Sequence, residues 1–443
     1  MKAYTAIKFT LQGIVQGVGF RPAIYKLCRK LNYAGWVKNT AAGVEVVIAN
    51  IEPEEFLTQL HSHLPPLAKI DQITKEKINL SCLPTSFKIL TSQAGPVNTK
   101  LSADIAICSA CVQELFNPSS RYYLYPFIAC ANCGPRYSTT IALPYDRHHT
   151  ALNKFPLCYG CKLAYTNPLD RRYYTQGISC PSCGPQLSMK MIAITEAIKA
   201  GQIVALKGTA GYHLIVDAKN LAALARLRQR KHRPAKPFAL MALNLSCIAQ
   251  YVELTEATMA ALTSTVAPIV LLKMLNHTLP EILAPGLNHL GFMLPNSGLD
   301  YLLFYFLLGQ PQGEGWLSSC NEVVLVVTSA NFAGGAIVSD DQKARVELAE
   351  LADLIVSYNK DIVTRCDDSV LKPTKVNLNI FRLGRGYAPR VIKLAAPVPE
   401  VLALGTSLKN TICLTKHDQA YISQYIGDMT NFHSYEYFFE LIG

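Results

Sequence analysis

Hydrophobic and polar positions alternate from Ala6 to Val15, break at the glycine turn Gln16-Gly17-Val18-Gly19, and take up a helical period from Phe20 to Leu31. That change of period predicts a strand, a turn and an amphipathic helix. Alternation returns over Gly35 to Asn39 and Val44 to Ala49, followed by a helix expected over Glu54 to His63 and a last strand over Phe87 to Thr91. The order β-α-β-β-α-β predicts a ferredoxin-like sandwich. From Met191 the rhythm becomes α/β: helix Ile194 to Ala200, strand Ile203 to Lys207, turn Gly208 to Gly211 and strand Tyr212 to Asp217. A basic helix and the apolar strands Phe238 to Ala242 and Val323 to Val327 follow. The longest apolar run, Tyr301 to Leu308, falls far short of the ~20 residues that cross a bilayer, so no membrane span is expected. The fold class expected is α+β and α/β in several domains.

Half of the 443 residues are hydrophobic, enough for about three separately cored domains. Between the two patterned regions, eight of the fourteen cysteines form four Cys-x2-Cys pairs: Cys108/Cys111, Cys130/Cys133, Cys158/Cys161 and Cys180/Cys183. Eighteen residues separate the pairs in each of two units, and each unit closes on Cys-Gly-Pro, so the block reads as a duplicated four-thiolate zinc site. A disulfide framework needs an oxidising compartment, whereas MKAYTAIKFTLQG has no apolar signal segment, and a cytoplasmic location is expected. An iron–sulfur centre would also suit the thiols and stays open. Cys28, Cys82, Cys247, Cys320, Cys366 and Cys413 read as small core residues. The formal charge of +11 falls to roughly +7 once two Zn²⁺ are held by eight thiolates, a balance suited to phosphate-bearing substrates as well as nucleic acid.

The glycine turn feeds a helix N-terminus, where backbone N–H groups converge, and Arg21 adds a bidentate fork. Gln16, Gly17, Val18, Gly19 and Phe20 therefore form a candidate phosphate cradle. The string GIVQGVGFRPAIYKLCRKLNYAGWVKNTAAGVEVVI resembles the acylphosphatases. That resemblance implies that Arg21 grips an acyl phosphate and that Asn39 positions the attacking water.

In the later region the basic helix runs into Lys231-His232-Arg233-Pro234-Ala235-Lys236-Pro237, where prolines fix the backbone at an element end and a polyanion could be clamped. No GxxxxGK[ST] loop occurs here. Hydroxyls in Thr328-Ser329-Ala330-Asn331 stand at a strand end, arginines in Arg382-Leu383-Gly384-Arg385-Gly386 stand in a glycine turn, and the adjacent Asp367 and Asp368 could serve Mg²⁺. KGTAGYHLIVDA, LRQRKHRPAKPFALM, TSAN and RLGRGYAP resemble, in order, the YrdC-like domain that forms carbamoyl adenylates. The resemblance implies that Lys231, Arg233 and Lys236 face ATP phosphates and that Thr328, Ser329 and Asn331 line the nucleotide pocket. Arg365, Asp367, Asp368 and Arg385 would complete it, with Lys207 and His213 at the acyl end.

This order of parts resembles the HypF family, the carbamoyltransferases of [NiFe]-hydrogenase maturation. The expected domains are 1–93 acylphosphatase-like, 104–188 zinc module, 190–395 YrdC-like and 398–443 the opening of the carbamoyltransferase domain. The resemblance implies cleavage of carbamoyl phosphate, adenylation of the carbamate by ATP with Mg²⁺, and transfer to the C-terminal cysteine of HypE, the group becoming the cyanide ligand of the hydrogenase iron. Because free carbamate decomposes in water, a protected route is expected, with the zinc module as a rigid spacer. In this chain Leu294-Pro295-Asn296-Ser297-Gly298 replaces the family's Pro-Tyr-Thr stretch, and Tyr358 and Lys360 stand for its usual histidine and arginine. The end at Gly443 falls inside the last domain and is expected to reflect truncation of the sequence. Two other readings remain. One is a tRNA-binding protein of threonylcarbamoyl-adenosine type, which the basic helix fits poorly because it lacks interleaved aromatics, so nucleic acid is not the expected partner. The other is a non-catalytic scaffold.

Overall fold

The computed structural model describes residues 4–275, 278–374 and 377–442, so the end at Gly443 lies outside the described residues. The chain divides into two compact units, Met1–Ser102 with Ala129–Gly184 and Ala103–Ile128 with Pro185–Gly443.

In the first unit β1 (Tyr4–Ile14), α1 (Phe20–Lys30), β2 (Gly35–Thr40), β3 (Gly43–Ala49) and α2 (Pro53–Ser62) follow the expected order within two residues at each end. The fourth strand does not. It is β4 (Lys69–Leu80), and the expected Phe87 strand is a fifth, β5 (Phe87–Ile89), at the other edge of the order β4-β1-β3-β2-β5. β4 escaped the hydrophobic pattern because it is an edge strand with most side chains in solvent, including Asp71, Lys75, Glu76 and Lys77. Phe9, Leu11, Phe20, Ile24, Val46, Phe56 and Phe87 are fully buried between helices and sheet, with the rings of Phe9 and Phe56 centred 4.8 Å apart. Alternation along β2 buries Val37 and Asn39 on one face, which decides where the asparagine points.

The two cysteine repeats share a local plan. Cys108 and Cys158 each sit in extended backbone just before a short helix, α3 (Ser109–Phe116) and α4 (Tyr159–Thr166), and each helix ends at an asparagine, Asn117 and Asn167. Eight-residue helices are too short to hold themselves together in water.

The second unit is built on a mixed nine-stranded sheet. After α5 (Met191–Lys199) come β6 (Val204–Lys207), β7 (Tyr212–Asp217), α6 (Leu221–Arg230) and β8 (Ala239–Ala242). β9 (Ile269–Lys273), β10 (His289–Met293), β11 (Val324–Ser329), β12 (Leu354–Val356), β13 (Val370–Pro373) and β14 (Leu378–Arg382) complete the order β12-β6-β7-β11-β8-β10-β9-β13-β14. β11 lies antiparallel between β7 and β8, which brings Thr328 and Ser329 beside Leu214 and His213. The apolar run from Tyr301 lies in a buried helix, Gly298–Leu307, started by a reciprocal cap between Ser297 and Asp300. A four-stranded antiparallel sheet (Arg390–Lys393, Gln419–Ile422, Cys413–Lys416, Val401–Ala403) and the helix Phe432–Ile442 follow. Among the described residues no helix is long and apolar enough to cross a membrane. Cys28, Cys247 and Cys366 are buried as expected, whereas Cys82 and Cys320 are exposed and pack in no core.

Phe56→Ala leaves a cavity facing Phe9 and is expected to cost about 3–5 kcal/mol, read as a lower urea midpoint for the unfolding of the first unit.

Candidate functional site

Two groups of polar side chains, one in each unit, bring together residues singled out in the sequence. In the first unit Gly17 and Gly19 have φ of 73° and 75°, a left-handed pair that L side chains rarely adopt, and Gly19 is the residue before α1. The turn therefore presents backbone N–H groups at the start of the helix. Gln16 secures it: its Nε2 donates to the carbonyls of Thr40 and Gly43, both at 2.7 Å. Arg21, in the first turn of α1, is 7% exposed, and its guanidinium donates to Asp146 Oδ1 at 2.8 Å, to the Tyr145 carbonyl at 3.3 Å and to Ser92 Oγ at 3.3 Å. Asn39, 1% exposed, donates from Nδ2 to the same Tyr145 carbonyl at 3.1 Å. Its Oδ1 is buried and has no hydrogen-bond partner among the described residues. An unmet buried acceptor costs about 1–3 kcal/mol, a cost that a bound water donating to it removes. Gln16, Gly17, Gly19, Phe20, Arg21 and Asn39 line one pocket together with Arg136 and Tyr145, whereas Val18, also expected in the cradle, is buried in the hydrophobic core. Tyr145 and Asp146 carried no local motif and were not foreseen.

The cysteines gather as two sets of four, Cys108, Cys111, Cys130, Cys133 and Cys158, Cys161, Cys180, Cys183, with all sulfurs of a set within 4.8 Å of one another. The Sγ–Sγ distances Cys130–Cys133 3.7 Å, Cys158–Cys180 3.7 Å, Cys180–Cys183 3.8 Å and Cys161–Cys183 3.6 Å can be compared with a tetrahedron. Metal–sulfur bonds of about 2.3 Å give an edge of about 3.8 Å, so the thiols fit a four-coordinate ion with no open position.

In the second unit Lys231, at the end of α6, is 1% exposed, and its Nζ donates to the carbonyls of Ser329 (2.7 Å) and Asn331 and to Asn331 Oδ1. Arg233 donates to Thr328 Oγ1 at 3.1 Å and lies over the Phe238 ring. Burial, then Arg233, lowers Lys231 far below the ordinary ammonium range, and Lys236 adds to the effect while Asp367 opposes it. Burial and the neighbouring Arg382 and Arg228 push Arg233 down to about 10, and burial with Arg233 and Arg382 lowers Lys236. Positive charge is thus crowded around Asp367, which is 3.7 Å from Arg382, with Asp428 acting on Lys236 as well. Lys231, Arg233, Lys236, Thr328, Ser329 and Asn331 come together as expected, and Arg382 joins them, visible beforehand only inside RLGRG.

The other expected residues pair with partners within the unit. Asp368 lies 2.8 Å from Arg385 Nε and 3.0 Å from His213 Nε2, and although burial alone would raise its carboxyl, the Arg385 guanidinium and the His213 contact hold it far below the usual range. Arg385 also donates to the carbonyls of Val266 and Ala267. Lys207 pairs with Asp341 at 2.6 Å and lies over the Tyr358 ring. Arg365 pairs with Glu440 and stacks on Tyr437, both in the helix Phe432–Ile442, a contact with no local signature. Lys360 is buried over the rings of Tyr358 and Phe127, and burial pushes its ammonium down to about 8, against Asp104 and with Lys207.

Comparison with known proteins gives a consistent set of matches. The acylphosphatase profile matches residues 7–89 and the HypF finger profile 107–140 and 157–190. The Sua5, YciO and YrdC profile, described as telomere recombination, matches 196–384, and the HypF Kae1-like domain matches 396–443. Carbamoyltransferase HypF2 of Cupriavidus necator is 46% identical over 449 residues, 96% of this chain and 55% of the relative. Carbamoyltransferase HypF of Rhizobium leguminosarum bv. viciae is 43% identical over 428 residues, again 96% and 55%. The crystal structure of a full-length HypF in the phosphate- and nucleotide-bound form superposes with a TM-score of 0.93 at 36% identity, covering 100% of this chain and 58% of that one. The chain spans about half the length of the curated relatives it matches.

Elemental analysis is expected to find two zinc ions per chain, falling to one in Cys161→Ser. Lys360→Met is expected to flatten one pH response. The folded lysine releases its proton near 8 and an ordinary one near 10.5, so between those values the unfolded chain binds more protons and stability rises with pH. Thermal midpoints of wild type and variant across that window would show the difference, worth up to about 3 kcal/mol.

Proposed function

Because this chain belongs to the HypF family along the part that it spans, we propose that it cleaves carbamoyl phosphate at the Arg21 site and adenylates the carbamate at the Lys231 site. At the first site the N–H groups around Gly17 and Gly19, with Arg21, bind the phosphoryl oxygens, and Asn39 Oδ1 accepts a hydrogen bond from the attacking water. Water and carbamoyl phosphate give carbamate and inorganic phosphate. At the second site a carbamate oxygen attacks the α-phosphorus of ATP, the bond to the β-phosphate oxygen breaks, and carbamoyl-AMP and pyrophosphate form. The carbamoyl group is destined for the C-terminal cysteine of HypE, a step assigned to the family as a whole.

The observation that carries this reading is the crowd of cations around Lys231. Burial and like charge lower the proton affinity of Lys231, Arg233 and Lys236, with Asp367 a carboxylate common to them, and a polyphosphate would supply further negative charge. A relative solved with phosphate and nucleotide bound is consistent with two anion sites of different kinds. ATP would enter with Mg²⁺, its phosphates supplying oxygen ligands, since Asp368 is already engaged by Arg385 and His213. Zinc is assigned to both cysteine sets in a structural role, and eight metal-binding thiols call for a reducing compartment, the cytoplasm.

Exchange of labelled pyrophosphate into ATP is expected to require carbamoyl phosphate. Arg21→Ala should abolish the exchange while leaving thermal stabilisation by ATP with Mg²⁺ in place. Undiminished exchange in that variant would overturn the coupled reaction.

A further inference from the structure

The segment between the two cysteine repeats enters the pocket lined by Arg21 and Asn39. Tyr145 meets all three anchoring side chains of that pocket. Its N–H donates to Gln16 Oε1 at 2.8 Å, and its carbonyl accepts from both Asn39 Nδ2 at 3.1 Å and Arg21 Nη2 at 3.3 Å. The next residue, Asp146, places Oδ1 at 2.8 Å from the same Arg21 nitrogen, with side chains only 13% and 8% exposed. The residue after that ties the segment to the second repeat. Arg147 donates to the carbonyls of Gln176 (2.8 Å), Ile178 (2.7 Å) and Phe155 (2.7 Å), and its N–H donates to Gln176 Oε1 at 2.9 Å. Ile178 lies two residues before the metal-ligand position Cys180.

We propose that Asp146 is a positioning residue of the acyl-phosphate site, fixing the Arg21 guanidinium so that its remaining donors face the phosphoryl group. A guanidinium has five N–H donors. Asp146, the Tyr145 carbonyl and Ser92 take three of them, leaving two for the substrate. A long side chain held on three sides loses less freedom when phosphate arrives, so the benefit falls on substrate binding. The carboxamide of an asparagine keeps an oxygen acceptor at the Oδ1 position and can preserve the contact. Glutamate keeps the charge but moves it by one methylene. The cysteine repeats are, in this account, more than a spacer, because the second of them holds the loop that aims the arginine.

The inference rests on the reading of Arg21 as the phosphate ligand. The test is hydrolysis of carbamoyl phosphate by the full chain without ATP, read as phosphate release above the spontaneous rate. Asp146→Ala is expected to raise KM about tenfold, the loss of one charge-assisted contact, with kcat changed less than about threefold. Asp146→Asn should restore KM to within about threefold of wild type, and Asp146→Glu should not. Should Asp146→Ala fail to fold, the order of the other two decides: asparagine better than glutamate supports positioning, and the reverse overturns it. An unchanged KM in a folded Asp146→Ala protein, while Arg21→Ala abolishes hydrolysis, overturns the role of Asp146 and leaves the proposed function standing. Hydrolysis that survives Arg21→Ala overturns both.

Discussion

A cation taken out of water must be met by fixed negative charge or oriented dipoles, and both candidate sites are organised by how fully that demand is satisfied. Where it is met inside the unit, the cation is a brace. Arg385 has Asp368 and two backbone carbonyls, and Lys207 has Asp341 and two more. Where it is met less fully, burial and like charge lower the proton affinity of the group. Lys231 donates to carbonyls and an amide oxygen, and its neighbours Arg233 and Lys236 repel its charge while Asp367 favours it. The same comparison separates residues that look alike in sequence. Arg385 and Arg382 belong to one short RLGRG segment, yet the first is paired with Asp368 and the second, 3.7 Å from Asp367, adds to the positive charge felt by Arg233 and Lys236.

Arg21 falls between these cases. It is nearly buried and carries one carboxylate partner, so it can fold without substrate, but three contacts leave part of its fork unused. The partner comes from more than a hundred residues along the chain. A ferredoxin-like domain alone contains the glycine turn, the arginine and the asparagine. The carbonyl that orients the last two belongs to Tyr145, and its loop is held by Arg147 against the second cysteine repeat. The second four-cysteine set is therefore tied to the first site by covalent and hydrogen-bonded links within one unit, since helices as short as α4 rely on an external clamp.

Much of this was legible from local pattern. The period change at Gly19 marked the start of α1, the Cys-x2-Cys pairs marked both thiolate sets, and the strand ending in Thr328-Ser329 was visible as an apolar run. The misses share a cause. β4 is a charged edge strand whose partner β1 lies more than fifty residues earlier, so neither its composition nor its neighbours announced it. Cys82 and Cys320 were assigned to the core on residue type alone, and exposure is a property of the fold.

Sequence by itself determined what is settled within a few residues: the glycine turn, the two four-thiol patterns, the presence of Arg21, Asn39, Lys231 and Arg233, and the family likeness these carry. Tertiary structure decided which charge meets which. It set Asp146 against Arg21, Asp368 against Arg385 and His213, and Glu440 against Arg365, and it buried Lys231, Arg233 and Lys236 beside one another. The reason is physical. Helical and strand periods and metal-ligand spacings are fixed by covalent geometry over short stretches, whereas the burial and pairing of a charge depend on groups that only the folded chain brings within a few ångströms.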